Sequence, residues 1–117
     1  WSFKYDAKRE GIGVHADDAS VNVNFWITDN SANMNSDNGG MIIWKKTPND
    51  NATFKDFNSL ESIDKIKDEV KDTDFMRVPY KSNRAVIFNS KLYHVTDKIE
   101  FKDNYKDRRV NITFLYK

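Results

Sequence analysis

The sequence has no cysteine, and histidine occurs only twice in its 117 residues. Without cysteine the chain can form no disulfide, no thiolate nucleophile and no zinc–thiolate site. The lack of cysteine is also typical of intracellular proteins, so we expect an intracellular, cytoplasmic location. Any chemistry that needs an imidazole must use His15 or His94.

The chain also lacks an excess of charge and a long apolar run. Its 19 basic and 18 acidic residues give a formal net charge of +1, which provides no electrostatic basis for binding nucleic acid or an anionic membrane. No apolar stretch approaches the ~20 residues of a membrane-spanning helix, and no signal peptide is visible. We expect residues 1–117 to form a single domain, and we expect a core fragment because Trp1 already lies in a strand-like pattern.

Most of the sequence alternates apolar and polar residues with a period of two, which predicts β-strands. The predicted strands are 1–5, 21–27, 41–44, 75–80, 85–88, 93–96 and 110–116. About seven or eight short strands with a single helix favour a mainly β fold of the sandwich or jelly-roll type.

One segment has a helical period instead. Its apolar residues fall about one helical turn apart, at Leu60, Ile63, Ile66 and Val70. Asn58 and Glu61 resemble a capping box, so the pattern predicts one amphipathic helix over 58–71, packed outside a sheet.

The most informative pattern joins His15, Asp17 and His94. On a strand, residues two apart point to the same face, so His15 and Asp17 can share one ion. A jelly roll can bring the distant His94 to them. Two histidines and one carboxylate with open coordination positions suit non-haem Fe(II) oxygen chemistry.

Each of these residues also has a purely structural interpretation. His15 can be a buried histidine at a strand end, and Asp17 can form a turn. His94 alone is more often structural than a ligand. Asp18 is a rival carboxylate, but its side chain would point to the opposite face of an extended strand.

A late strand, RRVNITFLY, adds a second polar group. Alternation places Arg109, Asn111 and Thr113 on one face, which can be either the solvated face or an interior site. A planar guanidinium can form paired hydrogen bonds with a carboxylate. An anion bound in the interior would need such a partner. Arg108 falls on the other face and is the weaker candidate.

The set His15, Asp17, His94 and Arg109 resembles the HxD…H…R pattern of the 2-oxoglutarate- and Fe(II)-dependent oxygenases. The tail RVNITF is similar to the RxNxT strand of the alkylated-base demethylases in that superfamily. The spacing from Tyr5 to His15 is similar to that of prolyl hydroxylases, in which a tyrosine touches the cosubstrate. The resemblance covers nearly the whole chain, although the N-terminal helices that usually buttress the family's barrel are missing.

The resemblance implies a double-stranded β-helix and a dioxygenase that hydroxylates a C–H bond. His15, Asp17 and His94 would hold Fe(II), and dioxygen would bind the open position. Arg109 would hold the distal carboxylate of 2-oxoglutarate, with help from Asn111, Thr113 or Tyr5. Many members have Arg-x-Ser where this chain has Arg109-Val110-Asn111, and Tyr5 can equally be a core residue.

The substrate and two rival functions remain open. The prolyl-hydroxylase-like spacing leads us to expect a protein or peptide side chain as the substrate. Nucleic acid is disfavoured because the sequence has no stripe of basic residues. A small metabolite is an alternative. The loop 29–40 is either a substrate lid or a solvated connection, and Trp26 and Trp44 either line a pocket or belong to the core. The rivals are a catalytically silent β-barrel binding module and a cupin-like metalloenzyme that does not use 2-oxoglutarate.

Overall fold

Two antiparallel β-sheets dominate the structure, a computed structural model that describes residues 1–5 and 12–117. The strands are β1 (Ser2–Lys4), β2 (Val21–Trp26), β3 (Met41–Trp44), β4 (Phe75–Val78), β5 (Ala85–Asn89), β6 (His94–Thr96) and β7 (Val110–Tyr116). The larger sheet has the order β1-β7-β2-β5, and the smaller has the order β4-β3-β6. The predicted mainly β fold is confirmed, with strand ends within about two residues of those predicted.

The larger sheet has an inner face that carries polar side chains. Asn22 and Asn24 on β2 are buried, as are Asn111 and Thr113 on β7. In the antiparallel register Asn24 lies opposite Thr113. Because successive side chains point to opposite faces, the apolar residues between them face outward, and Phe114 is half exposed. Polar groups therefore line the interior beside this sheet.

The apolar core is divided into two clusters. One contains residues of both sheets and their loops: Trp26, Ala32, Met41, Tyr80, Ile99 and Phe101. The other joins the helical segment to the segment that contains His15: Val14, Ala16, Ile66, Val70 and Tyr93. On the inner face of β2, Trp26 belongs to the first cluster, whereas Asn22 and Asn24 belong to neither.

The helical segment differs from the prediction in its first turns. It consists of α1 (Phe54–Phe57), a 3₁₀ turn (Leu60–Ser62) and α2 (Ile63–Val70). Asn58 does not begin a helix: it ends α1, where its backbone N–H donates to the Phe54 carbonyl. The predicted Asn58–Glu61 capping box is therefore wrong.

A serine takes the capping role instead. The Ser59 hydroxyl accepts from the Ser62 N–H and caps the 3₁₀ turn. Leu60, predicted to face the core, is 87% exposed, whereas Ile66 and Val70 are buried as predicted. Within the described ranges no helix is long and apolar enough to cross a membrane.

Candidate metal centre

Backbone pairing brings His15 and His94 together. The His15 N–H donates to the His94 carbonyl (3.1 Å), and the His94 N–H donates to the His15 carbonyl (2.9 Å). The predicted strand around His15 is reduced to this isolated bridge. The Asp17 N–H donates to the carbonyl of Ser90 (3.0 Å), which lies between β5 and β6. This bond holds Asp17 close to the two histidines.

The three side chains meet around one small space. Nε2 of His94 lies 3.3 Å from Oδ2 of Asp17, and Nε2 of His15 lies 3.6 Å from Oδ1. The two imidazole centroids are 4.5 Å apart. In the part of the chain that the structure describes, this is the one group of three His, Cys, Asp or Glu side chains whose ligand atoms all lie within 4.8 Å of one another.

The hydrogen bonds of the two histidines determine which nitrogen is available to a metal. Nδ1 of His15 lies 2.7 Å from the Gly13 carbonyl, and Nδ1 of His94 lies 2.7 Å from the Leu92 carbonyl. A carbonyl only accepts hydrogen bonds, so each Nδ1 carries the proton. In the neutral imidazole, the Nε2 lone pair then faces the carboxylate, which is how metal-binding histidines are oriented.

The protonation states suit metal binding. Burial lowers the pKa of His15, and the charge of His94 lowers it further, so the neutral imidazole is favoured. Burial alone would raise the pKa of Asp17, but the hydrogen bond and charge of a protonated His94, the charge of a protonated His15 and the Asn22 hydrogen bond outweigh it and lower this pKa below its usual value. A neutral histidine and an ionised carboxylate are the forms that bind a metal.

Two side-chain amides fix the orientation of the carboxylate. Nδ2 of Asn22 donates to Oδ2 of Asp17 (3.2 Å), and Nδ2 of Asn58 donates to Oδ1 (3.3 Å). Asn58 also donates to the Ala16 carbonyl (2.8 Å), which explains why it does not cap a helix. The helical segment therefore supports the site through Asn58.

A cavity of about 550 Å³ opens beside the three ligands, and residues of both sheets line it. Six of the seven predicted site residues belong to its wall: Tyr5, His15, Asp17, His94, Asn111 and Thr113. Its volume lies within the range of about 300–1,000 Å³ that is usual for small-molecule pockets.

The seventh predicted residue, Arg109, is buried behind this wall. Its Nη1 donates to Oδ1 of Asn111 (2.8 Å), and its Nε donates to the Gly39 carbonyl. Its guanidinium carbon lies 5.2 to 5.7 Å from three aromatic ring centroids, those of Tyr5, Trp26 and Tyr80. Arg109 therefore reaches the cavity through Asn111.

The guanidinium of Arg109 lies among aromatic rings. Burial lowers its pKa to about 10, partly offset by Tyr5 and Tyr80, so the side chain remains cationic at neutral pH. Among the described residues no carboxylate forms an ion pair with it. A buried cation of this kind favours an anion nearby.

A chain of hydrogen bonds connects the polar residues of the wall. Nδ2 of Asn111 and Nδ2 of Asn24 both donate to Oγ1 of Thr113, at 3.1 and 3.0 Å. The Trp26 indole N–H donates to Oδ1 of Asn24 (2.8 Å). Buried polar networks of this kind hold their members in one arrangement.

The sequence analysis missed three polar residues of the site, Asn22, Asn24 and Asn58. The alternation of β2 placed Asn22 and Asn24 on the same face as Trp26, which was the available signal. No comparable signal existed for Asn58, because its contacts with Ala16 and Asp17 cross about 40 residues of sequence.

The structure also shows where the other candidate residues of the sequence lie. The Asp18 side chain is largely exposed and lies 3.9 Å from Nζ of Lys117, outside the three-ligand group. Trp26 is fully buried in the core, and Trp44 packs against the second cluster. Arg108 lies with its guanidinium over the Tyr105 ring.

The loop 29–40 is anchored by hydrogen bonds to the segment 98–100. Asn35 and Asn38 both donate to Oε2 of Glu100, and the Gly39 N–H donates to the Lys98 carbonyl. The cavity wall contains no residue of this loop among those described. Its link to the site is the Gly39 carbonyl, which accepts from Arg109.

Comparison with known proteins gives no relative for this chain. No family model matches it, and no curated protein or solved structure matches it significantly. A functional assignment therefore depends on the site itself.

Proposed function

We propose that the protein is a 2-oxoglutarate- and Fe(II)-dependent dioxygenase with a double-stranded β-helix fold, which hydroxylates a C–H bond. Two antiparallel sheets with a shared cavity support the fold. In each sheet, strands distant in sequence are neighbours, such as β2 and β7 or β3 and β6. This arrangement is what a jelly roll requires.

The observation that carries the proposal is the arrangement of His15, Asp17 and His94. Both imidazoles present Nε2 to one carboxylate because both Nδ1 hydrogens are donated to backbone carbonyls. Two histidines and one carboxylate beside an open cavity leave coordination positions free, which suits Fe(II). The residue types thus fit this ion.

Arg109, Asn111 and Thr113 would hold 2-oxoglutarate. Asn111 and Thr113 line the cavity and can donate or accept hydrogen bonds to a carboxylate, while the cationic Arg109 is bonded directly behind Asn111. Tyr5 lines the same region, and its ring lies against Arg109. The wall therefore combines positive charge and hydrogen-bonding groups near the proposed metal.

When bound, the iron and its cosubstrate would supply the oxidation, in which one atom of dioxygen enters the substrate and the other enters succinate as carbon dioxide is released. The chain would contribute position. Asn22 and Asn58 keep the Asp17 carboxylate oriented, and the backbone carbonyls of Gly13 and Leu92 keep each imidazole turned toward the ion.

A second candidate is a metalloenzyme that does not use 2-oxoglutarate, as in the cupin-like alternative. The position of Arg109 favours it: the guanidinium has two hydrogen bonds within the protein and does not line the cavity. In that case Arg109 would be a structural residue that orders the loop at Gly39.

Succinate release tests the proposal and separates the two candidates. We expect the Fe(II)-loaded protein to convert 2-oxoglutarate to succinate in air, and Arg109→Gln to raise the KM for 2-oxoglutarate at least tenfold, since it removes the positive charge buried behind Asn111. Arg108→Gln is the matched control and should leave this KM unchanged. Loss of metal binding in Arg109→Gln would indicate misfolding; no succinate from a metal-loaded wild-type protein would contradict the proposal.

A further inference from the structure

One buried polar atom beside the candidate metal centre has no partner. Asn22 is 1% exposed and lines the cavity. Its Nδ2 donates to Oδ2 of Asp17, but its Oδ1 forms no hydrogen bond within the described residues. Leaving a buried carbonyl oxygen without a donor is costly, so such an atom requires an explanation.

The orientation of this amide is determined by Asp17. If the Asn22 amide were reversed, its oxygen would lie against the ionised carboxylate, and two acceptors would repel each other. The nitrogen therefore faces Asp17, and the oxygen is left without a donor among the described residues.

Asn24, two residues along β2, provides a direct comparison. It faces the same side of the strand and also lines the cavity. Both ends of its amide are occupied, because Nδ2 donates to Thr113 and Oδ1 accepts from the Trp26 indole. The free acceptor is thus particular to Asn22 and does not arise from asparagines on this face in general.

Apolar side chains form much of the rest of the cavity wall, and its two charged residues outside the metal-binding group, Asp18 and Lys117, lie close to each other. Ile12, Phe54 and Leu115 line it, together with the aromatic side chains of Trp1 and Phe3 on the β1 side. Ile12 and Phe54 remain 43% and 57% exposed, so they offer apolar surface that a ligand can cover. This wall favours an apolar body over a charged one.

We infer that this part of the cavity binds an apolar substrate group that carries one hydrogen-bond donor, an N–H or O–H, and that Oδ1 of Asn22 accepts from that donor. The apolar wall would hold the body of the group, and Asn22 would set its orientation toward the metal-binding side chains. Asn22 would therefore be a specificity-determining residue, because a site built to accept a donor discriminates against analogues without one. The inference deepens the proposed dioxygenase function and rests on it for the identity of the ligand as a substrate.

Binding of two bicyclic probes to the metal-free protein tests this inference. Indole carries an N–H, and benzofuran has nearly the same shape with an ether oxygen in its place. We expect wild type to bind indole roughly threefold to tenfold more tightly than benzofuran, as measured by ligand-observed NMR titration. Indole should also shift the Asn22 side-chain amide resonances and leave those of Asn89, outside the cavity wall, unchanged.

Two variants identify the acceptor. Asn22→Leu should remove the preference for indole, whereas Asn89→Leu, at an exposed position outside the cavity wall, should retain it. Three results would each overturn the inference: equal binding of the two probes to wild type, a preference for indole that survives in Asn22→Leu, or no binding of either probe. Equal binding is also the result expected if Oδ1 of Asn22 accepts only from a metal-bound water. If Asn22→Leu fails to fold, the wild-type comparison and the Asn22 resonances decide alone.

The probe experiment and the succinate experiment fail independently. The probes are tested without metal or 2-oxoglutarate, so a negative result there leaves the dioxygenase proposal standing. A preference for indole without succinate release would instead retain the donor-binding cavity and reject the dioxygenase.

Discussion

Each oxygen of Asp17 has partners of its own in the folded chain. Oδ1 is close to His15 and Asn58, and Oδ2 is close to His94 and Asn22. The carboxylate therefore has a fixed orientation in the protein alone, which reduces the conformational entropy lost when an ion binds. A preoriented site of this kind favours a functional role over a merely structural ion pair.

Asp17 and its neighbour Asp18 form a matched pair for testing the ligand assignment. Asp17→Asn should weaken Mn²⁺ or Fe(II) binding by more than about 100-fold, since it removes the only anionic ligand of the three-residue group. Asp18→Asn should bind normally. Anaerobic calorimetric titration measures both, and equal affinities in the two variants would reject Asp17 as a ligand.

The lowered pKa of His15 predicts a pH dependence of stability in the metal-free protein. Because its folded-state pKa lies below the unfolded value of about 6.5, the unfolded chain binds the proton more readily. The contribution of His15 to the free energy of unfolding is complete above about pH 6.5, and it is lost as the pH falls toward the folded-state pKa of His15. Wild type should lose more free energy of unfolding between about pH 7 and pH 5 than His15→Gln, which cannot be protonated.

Urea denaturation at several pH values measures this difference. The lowered pKa of Asp17 acts in the same direction, but only below its ordinary value of 3.8, outside this interval. Parallel loss of stability in wild type and His15→Gln would contradict the assignment of a buried, neutral imidazole at this position.

At the scale of elements, the positions of the strands were predictable from the sequence. Which face of each strand is buried was only partly predictable. The alternation around β2 and β7 located both strands correctly. Alternation alone does not say which face is inside, and on these strands the asparagines and Thr113 are buried while Phe114 faces outward. The usual rule that apolar faces are buried fails here because these polar side chains line the part of the cavity beside the candidate metal centre.

The helical segment was also only partly predictable from the sequence. The apolar spacing correctly indicated a helix at Ile66 and Val70, because those residues contact the core. It wrongly extended the apolar face to Leu60 and gave Asn58 a capping role. A local pattern cannot reveal that Asn58 bonds Ala16 and Asp17, since those contacts form only in the folded chain.

Two alanine substitutions test where the helical segment is buried. Ile66→Ala should lower the free energy of unfolding by about 2–5 kcal/mol, as expected for a fully buried aliphatic side chain. Leu60→Ala should change it by no more than about 0.5 kcal/mol, because Leu60 is exposed. Chemical denaturation measures both, and similar losses in the two variants would contradict the observed boundary.

At the scale of the whole molecule, the site forms where sequence-distant segments meet. His15 and His94 are adjacent through a two-residue bridge, and Asn111 faces the same cavity from the other sheet. The sequence could nominate His15, Asp17 and His94 because histidine is scarce, and their proximity agrees with that nomination. It could not place Arg109 behind Asn111, since its position depends on the loop at Gly39.

We propose that one cavity binds Fe(II) and 2-oxoglutarate together, and anaerobic absorption spectroscopy tests this most directly. Adding both to the metal-free protein should produce a visible iron-to-ketoacid charge-transfer band, which neither produces alone. The band should be absent in Asp17→Asn, and should require a higher 2-oxoglutarate concentration in Arg109→Gln. No band in wild type that has bound Fe(II), or the same 2-oxoglutarate dependence in Arg109→Gln, would contradict it.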